Sequence, residues 1–343
     1  MKKTLVMLLI MVLICSMAAC KNNSGNNNKE DLPKVVMVTS EGGLGDESFN
    51  DMAYKGIQRA EADFDIEVSV LEPGSKDEYI NSLSKAAEQE ADLVIAVGDV
   101  SVKRMKQIAE QYPKTDFAIV DSDKEIADNV MSLSFKEQEG AFLVGVIAAL
   151  TTETDNIGFI GGVSSSAMDK YEYGFRAGVK AINPNAQVLV DYTQSFSSPE
   201  TGKITALSQV NRGADILFHA SGESGIGVIE AASDMGIWAI GSGQDQSPLK
   251  PETVLCSMFK RIDNAVYLAI QDFVEGKFEG RVYQFGLDFE AVGYIDGAKN
   301  LPEDIVLQVD AYKAAILATD IYVPKNRSDF EEFEVPEEGL LLE

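Results

Sequence analysis

The side chains able to do chemistry in this chain are few, and they favour binding over catalysis. One histidine, His219, stands in the whole sequence. Ser-His-Asp and Cys-His mechanisms and most zinc sites need histidine, so the chain has the means for one triad at most. The nucleophiles on offer, Cys256 and the serines of Gly162-Val163-Ser164-Ser165-Ser166, lack the strained nucleophile-elbow pattern. A lone His behind an apolar run reads as a hydrogen-bonded packing residue. No enzymatic activity, cofactor or metal is expected.

Other polar residues sit where ligands are bound in open α/β sheets, just beyond the carboxyl ends of predicted strands. In the first half these are Asp46-Glu47-Ser48-Phe49-Asn50, Gly98-Asp99 and Asp121; in the second, Phe218 to Gly222, Asp245-Gln246 and Lys260. A carboxylate accepts two neighbouring hydroxyls well, and a lysine beside it keeps it ionised. Phe49 and Phe218, one from each half, suit the two faces of a flat ring. Each also has a plainer reading: Phe49 as a first-turn core residue, Phe218 as a buried strand residue, Asp46, Asp121 and Asp245 as caps of helices or turns. The cluster Gly222-Glu223-Ser224-Gly225-Ile226-Gly227 lacks the dinucleotide spacing and a Walker lysine, and Glu223 would repel an anion. It suits close backbone approach to a neutral, hydroxyl-rich ligand, or simple turns.

The elements that must position these residues are short β-branched runs alternating with helical periodicity, the mark of parallel α/β architecture. Strands are predicted at Val35–Val38, Ile66–Val70, Leu93–Val97 and Phe117–Val120, then at Ile157–Ile160, Val188–Val190, Ile216–Phe218, Trp238–Ile240 and Thr253–Met258. Phe49, Met52, Ala53, Gly56, Ile57 and Ala60 lie on one helical face between them. Two doubly wound parallel-sheet lobes are expected, joined by a hinge with a ligand cleft between them: 34–153 plus 261–281, and 154–260 plus 282–325. Strands near Val282–Phe285 and Val292–Ile295 follow a helix at Asp263–Val274, where the chain recrosses between lobes. The Glu-rich end, 326–343, reads as an acidic tail, poorly ordered from Phe330.

The amino terminus sets the address. Lys2 and Lys3 precede an apolar stretch from Leu5 to Ile14, and Ser16-Met17-Ala18-Ala19-Cys20 closes it. This predicts a signal peptide over 1–19 and lipid on Cys20, because the stretch is too short to span a bilayer. Residues 20–33 read as a disordered tether. The third cysteine, Cys256, is left without a partner once Cys15 departs with the signal. The formal net charge of −26 excludes nucleic acid as a natural partner, since its binding draws on clustered Lys and Arg.

At these residues the chain resembles the basic membrane protein family of substrate-binding lipoproteins, which includes the purine-nucleoside receptors of ABC transporters. The resemblance spans nearly all of residues 34–325. It is carried by Gly45-Asp46-Glu47-Ser48-Phe49-Asn50, Phe135 to Phe142, Gly158-Phe159-Ile160-Gly161-Gly162, Ile216 to Ala220, Gly222 to Glu230, Trp238 to Gly241, Asp245-Gln246 and Ser257 to Arg261. It implies a type I periplasmic-binding-protein fold closing over a nucleoside, a purine one by preference. Carried over residue by residue, Phe49 and Phe218 would stack on the base, and Asn50 and Ser48 would help hold the base and its loop. Asp121, Asp245 and Lys260 would bind ribose hydroxyls, and Gly222 would offer backbone. Glu137 and Glu139 are expected to have a structural role near the lobe crossover. The partners implied are an ABC permease with its ATPase, and the membrane through the lipid anchor, with the protein itself a monomer.

Two positions depart from the family pattern. Ser40 stands where many members carry Asp, which bears on base preference and keeps a sugar or other polar small molecule as an alternative ligand. Ser198 precedes Pro199 in Phe196-Ser197-Ser198-Pro199 where Asp is common, and only a local turn effect is expected. A surface antigen or adhesin without a transport role is the remaining alternative.

Overall fold

The computed structural model describes residues 32–334 apart from 41, 47, 48 and 99. Cys20, the signal and most of the tether, Ser48, and the last nine residues of the acidic tail lie outside the described residues. The apolar runs form strands because they are buried on both faces, as sheets covered by helices require. β3 (Leu93–Val97) is buried at every position. The first sheet has six strands in the order β11-β5-β4-β3-β1-β2. Here β1 is Lys34–Val38, β2 Glu67–Leu71, β4 Asp116–Val120, β5 Val130–Phe135 and β11 Val282–Phe285. All its pairs are parallel. The second sheet runs β12-β10-β9-β8-β6-β7, with β6 Asn156–Gly161, β7 Gln187–Tyr192, β8 Ile216–Ala220, β9 Trp238–Gly243, β10 Val254–Lys260 and β12 Val292–Ile295. Its pairs are parallel except β10 with β12. The two doubly wound lobes expected from the sequence are present.

One strand was not foreseen. In β5, Val130-Met131-Ser132-Leu133-Ser134-Phe135, two serines interrupt the apolar run, yet all six residues are buried. Ser132 makes this tolerable by donating from Oγ to the Lys124 carbonyl at 2.6 Å, so its hydroxyl is satisfied out of water.

Helices α1 (Phe49–Asp63), α2 (Lys76–Glu88), α3 (Val102–Gln111) and α8 (Ile262–Val274) serve the first lobe. Helices α4 (Glu137–Thr151), α5 (Ser166–Ile182), α6 (Pro199–Val210), α7 (Ser224–Met235) and α9 (Glu303–Leu317) serve the second. α4 corrects a boundary. The sequence pattern assigns residues to 153 to lobe 1, but α4 packs on α5, β10, β12 and α9. The cause is its surface: Gly140 through Ala148 are all buried, and glycines let α4 and α5 touch by their backbones. A Cβ at Gly178 would come within 2.1 Å of the Phe142 carbonyl oxygen. The chain therefore first changes lobe at residue 136. It returns between Lys260 and α8, which packs on α1. The last change also differs from expectation, because β11 pairs with β5, so residues 282–285 belong to lobe 1 and the crossing lies at 286–291.

The carboxyl end is ordered further than its composition suggests. Arg327–Glu331 forms a short helix, α10. Phe333 is buried, its ring 6.3 Å from that of Phe142, and its carbonyl accepts from Lys180 Nζ at 2.6 Å. Two aromatic anchors, Phe330 and Phe333, outweigh the acidic composition there. Among the described residues no helix is long and apolar enough to cross a membrane.

Candidate functional site

The crossings leave or follow the carboxyl ends of β5, β10 and β11, so both sheets point those ends at the hinge. Along the first sheet the rim carries Gly286, Lys136, Asp121, Gly98 and Ser40; along the second, Lys260, Gln244-Asp245, Gly222 and Gly162. A hydrogen bond from Lys55 Nζ on α1 to Gln244 Oε1, 2.8 Å long, joins the two rims.

On the hinge side the site is a knot of charge. Lys260 Nζ lies 2.5 Å from Asp121 Oδ1 and 2.8 Å from Glu137 Oε1. Glu137 Oε2 accepts from Lys170 Nζ at 2.9 Å, and that ammonium also donates to the Phe135 carbonyl at 2.8 Å. Lys260 and Glu137 side chains are 4% and 2% exposed, whereas Asp121 is 21% exposed, so Asp121 is the most open of the three. Burial pulls the Lys260 pKa down, but the charges of Asp121 and Glu137 more than offset this and hold it above its ordinary value. Burial raises Glu137, and its two ammonium partners outweigh that and leave it low. Burial pushes the Asp121 carboxyl up against the pull of Lys260. Asp121 also has φ +68°, the left-handed region, as befits a residue turned out of a strand end.

Phe49 belongs to this group. It is half-buried at the first turn of α1, and Lys260 Nζ stands 5.6 Å from its ring centroid. Asn50, in contrast, is 1% exposed. Its Oδ1 accepts from Ser40 N at 2.9 Å and Ser40 Oγ at 3.1 Å, and its Nδ2 donates to Asp46 Oδ2 at 3.1 Å. Asp46 in turn accepts from the backbone N–H groups of Asn50 and Asp51. Asn50 therefore holds the loop, and Asp46 caps α1. Ser40 is tied into the same loop.

The second-lobe wall differs from the expectation at one ring. Phe218 is fully buried in the middle of β8. Its ring lies 4.9 Å from Phe175 and 5.7 Å from Phe159. Alternation along the strand places it with Ile216 and Ala220 in the core under α5, so it has no free face on which to stack a ligand. The exposed aromatic on this wall is Phe196, 45% exposed in the loop between β7 and α6. Its seat is made by glycines: a Cβ at Gly162 would meet the ring at 2.1 Å, and one at Gly222 would meet the Phe196 carbonyl oxygen at 2.9 Å. Gly222 has φ +58°, so it is glycine for conformation as well as for space. The sequence signals are an aromatic after a strand and before a proline-started helix, and the pair Gly161-Gly162.

Asp245 is half-buried and lies on the same rim. It accepts from Ser247 N at 3.0 Å through Oδ1, while Oδ2 faces Gly297, where a Cβ would approach to 2.1 Å. The register Phe259↔Gly243 sets Gln244 and Asp245 beside the end of β10. His219 is buried beneath the rim, its Nε2 2.8 Å from Gln246 Oε1 and its ring against Gly225. Burial lowers its pKa to about 4, so it is neutral and built into the packing.

Two parallel-sheet lobes, linked by crossings on one side and with polar and aromatic groups on the facing strand ends, define a two-lobed solute-binding protein of the periplasmic-binding type. The family described as ABC transporter substrate-binding protein PnrA-like matches residues 33–327, and the chain belongs to it. Among relatives, the CD4+ T-cell-stimulating antigen of Listeria monocytogenes is 36% identical over 313 residues, covering 85% of this chain and 88% of its own. Basic membrane protein A1 of Borrelia garinii subsp. bavariensis is 33% identical over 312 residues, covering 89% and 92%. An ABC transporter solute-binding protein of Aeropyrum pernix superposes with a TM-score of 0.77 at 28% identity, over 87% of this chain and 95% of that one. Membership of such a family implies a ligand and a permease.

Proposed function

We propose that the protein captures a nucleoside, with a purine base preferred, between its lobes and delivers it to an ABC permease and ATPase, held at the outer face of the cell membrane by lipid on Cys20. The observation that carries this reading is the adjacency of an aromatic face to a hydroxyl-binding pair: Phe49, Lys260 and Asp121 meet at one point. A flat base against Phe49 places its attached sugar beside Asp121. Phe196 on the opposite rim supplies the second ring, and Asp245 a second carboxylate. Charged hydrogen bonds contribute roughly 1.5 to 3 kcal/mol each and aromatic stacking roughly 0.5 to 1.5 kcal/mol, enough together for micromolar binding or tighter.

The test is thermal unfolding of residues 33–334, refolded to strip carried ligand, against nucleosides, free bases, ribose and hexoses. A ligand that binds only the native state raises the midpoint by mass action. Shifts with adenosine, inosine or guanosine and none with ribose are expected. Shifts with hexoses alone would move the assignment to sugars, and no shift with any of these would remove the small-molecule reading.

A further inference from the structure

Behind the exposed Asp121 lies a charge that the ligand reading does not use. Glu137 is in the first turn of α4 at the first crossing, and each of its oxygens holds one ammonium: Lys260 at the end of β10, and Lys170 of α5. Its neighbour Glu139 accepts from Leu287 N at 2.8 Å at the third crossing. Backbone bonds complete the set, Lys136 N to the Phe285 carbonyl at 2.8 Å and Arg261 N to the Ala291 carbonyl at 2.7 Å. All three crossings are thus tied together by one helical turn. A buried ion pair is a weak source of net stability, because desolvation cancels most of the attraction. Its value here is placement.

We propose that Glu137 is a positioning residue that couples the ligand subsite to the hinge: its carboxylate, shared between Lys170 and Lys260, fixes the Lys260 ammonium beside Asp121 and Phe49. This rests on the reading of Asp121 and Lys260 as ligand contacts. Two carboxylates and two ammoniums balance in the cluster. With Glu137 neutralised, both ammoniums are left to Asp121 alone among the four, and repulsion from Lys170 displaces Lys260. The defect is then one of charge and is mended by removing the second ammonium.

The test is a double-mutant cycle of Glu137→Gln and Lys170→Met in the chain from Pro33, read in two ways. Titration with adenosine, inosine and guanosine should show Glu137→Gln weaker by about tenfold or more, the scale of one charged hydrogen bond. Glu137→Gln with Lys170→Met should recover to within about threefold of the unaltered protein, a non-additivity expected only of coupled groups. The second reading needs no ligand. Acylation of amines below the unfolding transition, located by mass spectrometry, should find Lys260 protected in the unaltered protein, labelled in Glu137→Gln, and protected again in the double variant. A merely structural role predicts that the double variant is worse than either single one in both readings, and that result, or unchanged labelling in Glu137→Gln, overturns the proposal. Should no nucleoside bind the unaltered protein, the ligand assignment fails while the labelling still decides the role of Glu137. If Glu137→Gln does not fold, Lys170→Met alone serves: Lys260 should stay protected, and its exposure would count against the proposal.

Discussion

The two walls of the cleft are built on opposite plans. On the hinge side, polar groups are fixed in advance: Lys260 and Glu137 are almost fully buried and each oxygen of Glu137 is engaged. On the second-lobe side the aromatic group is exposed and seated on glycine, with the Phe196 ring over Gly162 and its backbone against Gly222, while Phe218 and Phe175 are sealed in the core. The difference separates two tasks. Directed hydrogen bonds lose strength quickly with misalignment and are best held rigid, whereas stacking tolerates adjustment and can come from a loop that orders as the lobes close.

The sharpest way to break that comparison is at Phe218. If it is core, Phe218→Ala should lower stability by roughly 3 to 5 kcal/mol, measured by urea unfolding, while ligand affinity of the folded fraction is nearly unchanged. A collapse of affinity with little loss of stability would instead put Phe218 on the cleft face. His219 probes the opposite face of the same strand, against Gly225 and Gln246, through pH. Its folded pKa of about 4 lies below the unfolded value, so the unfolded chain binds more protons between the two. The contribution of the neutral ring is therefore complete above about pH 6.5 and is lost as pH falls toward 4, about 3 kcal/mol in all. Asp116, raised by burial to about 6, acts with the opposite sign over part of that range. The slope should accordingly be read as the difference between the unaltered protein and His219→Gln, and that difference should be a rise in stability with pH between about 4 and 6.5.

On the hinge wall, Asp121→Ala removes the exposed acceptor and leaves Lys260 to Glu137. Nucleoside affinity should fall by roughly 1.5 to 3 kcal/mol in a calorimetric titration. Binding that survives intact would show that the hinge cluster serves the hinge alone.

What was legible in the sequence follows the same division. β-branched runs and helical periodicity gave both sheets, because burial on two faces demands them. The strand-end positions of Asp121, Asp245 and Lys260 were legible because polar residues that close or follow such a run fall at the strand end. Phe218 misled because its motif marks a strand end, whereas the face on which its ring lies depends on register one residue at a time. β5 was hidden by Ser132 and Ser134, which interrupt the apolar run although the strand is buried throughout. The lobe boundaries were misplaced because α4 begins where lobe 1 ends, and nothing local in Glu137–Thr151 says which sheet its apolar surface will meet. The long-range Glu137–Lys260 and Glu137–Lys170 pairs lie beyond any local pattern.

In the sequence Phe196 marks only a local turn, and its ring is the finest test of the second-lobe plan. Being 45% exposed and packed mainly on glycines, it contributes little to the folded core, so Phe196→Ala should leave the unfolding midpoint almost where it was. Ligand affinity should still fall by roughly 0.5 to 1.5 kcal/mol through lost stacking, with more from the area left uncovered. Gly162→Ala asks the same question without deleting the ring, since the added methyl occupies the place where the ring rests and must push it outward. If both substitutions weaken nucleoside binding but leave hexose binding as it was, the ring reads the base. If neither changes binding, the second aromatic face lies elsewhere, and the second-lobe wall works through Asp245 and backbone alone.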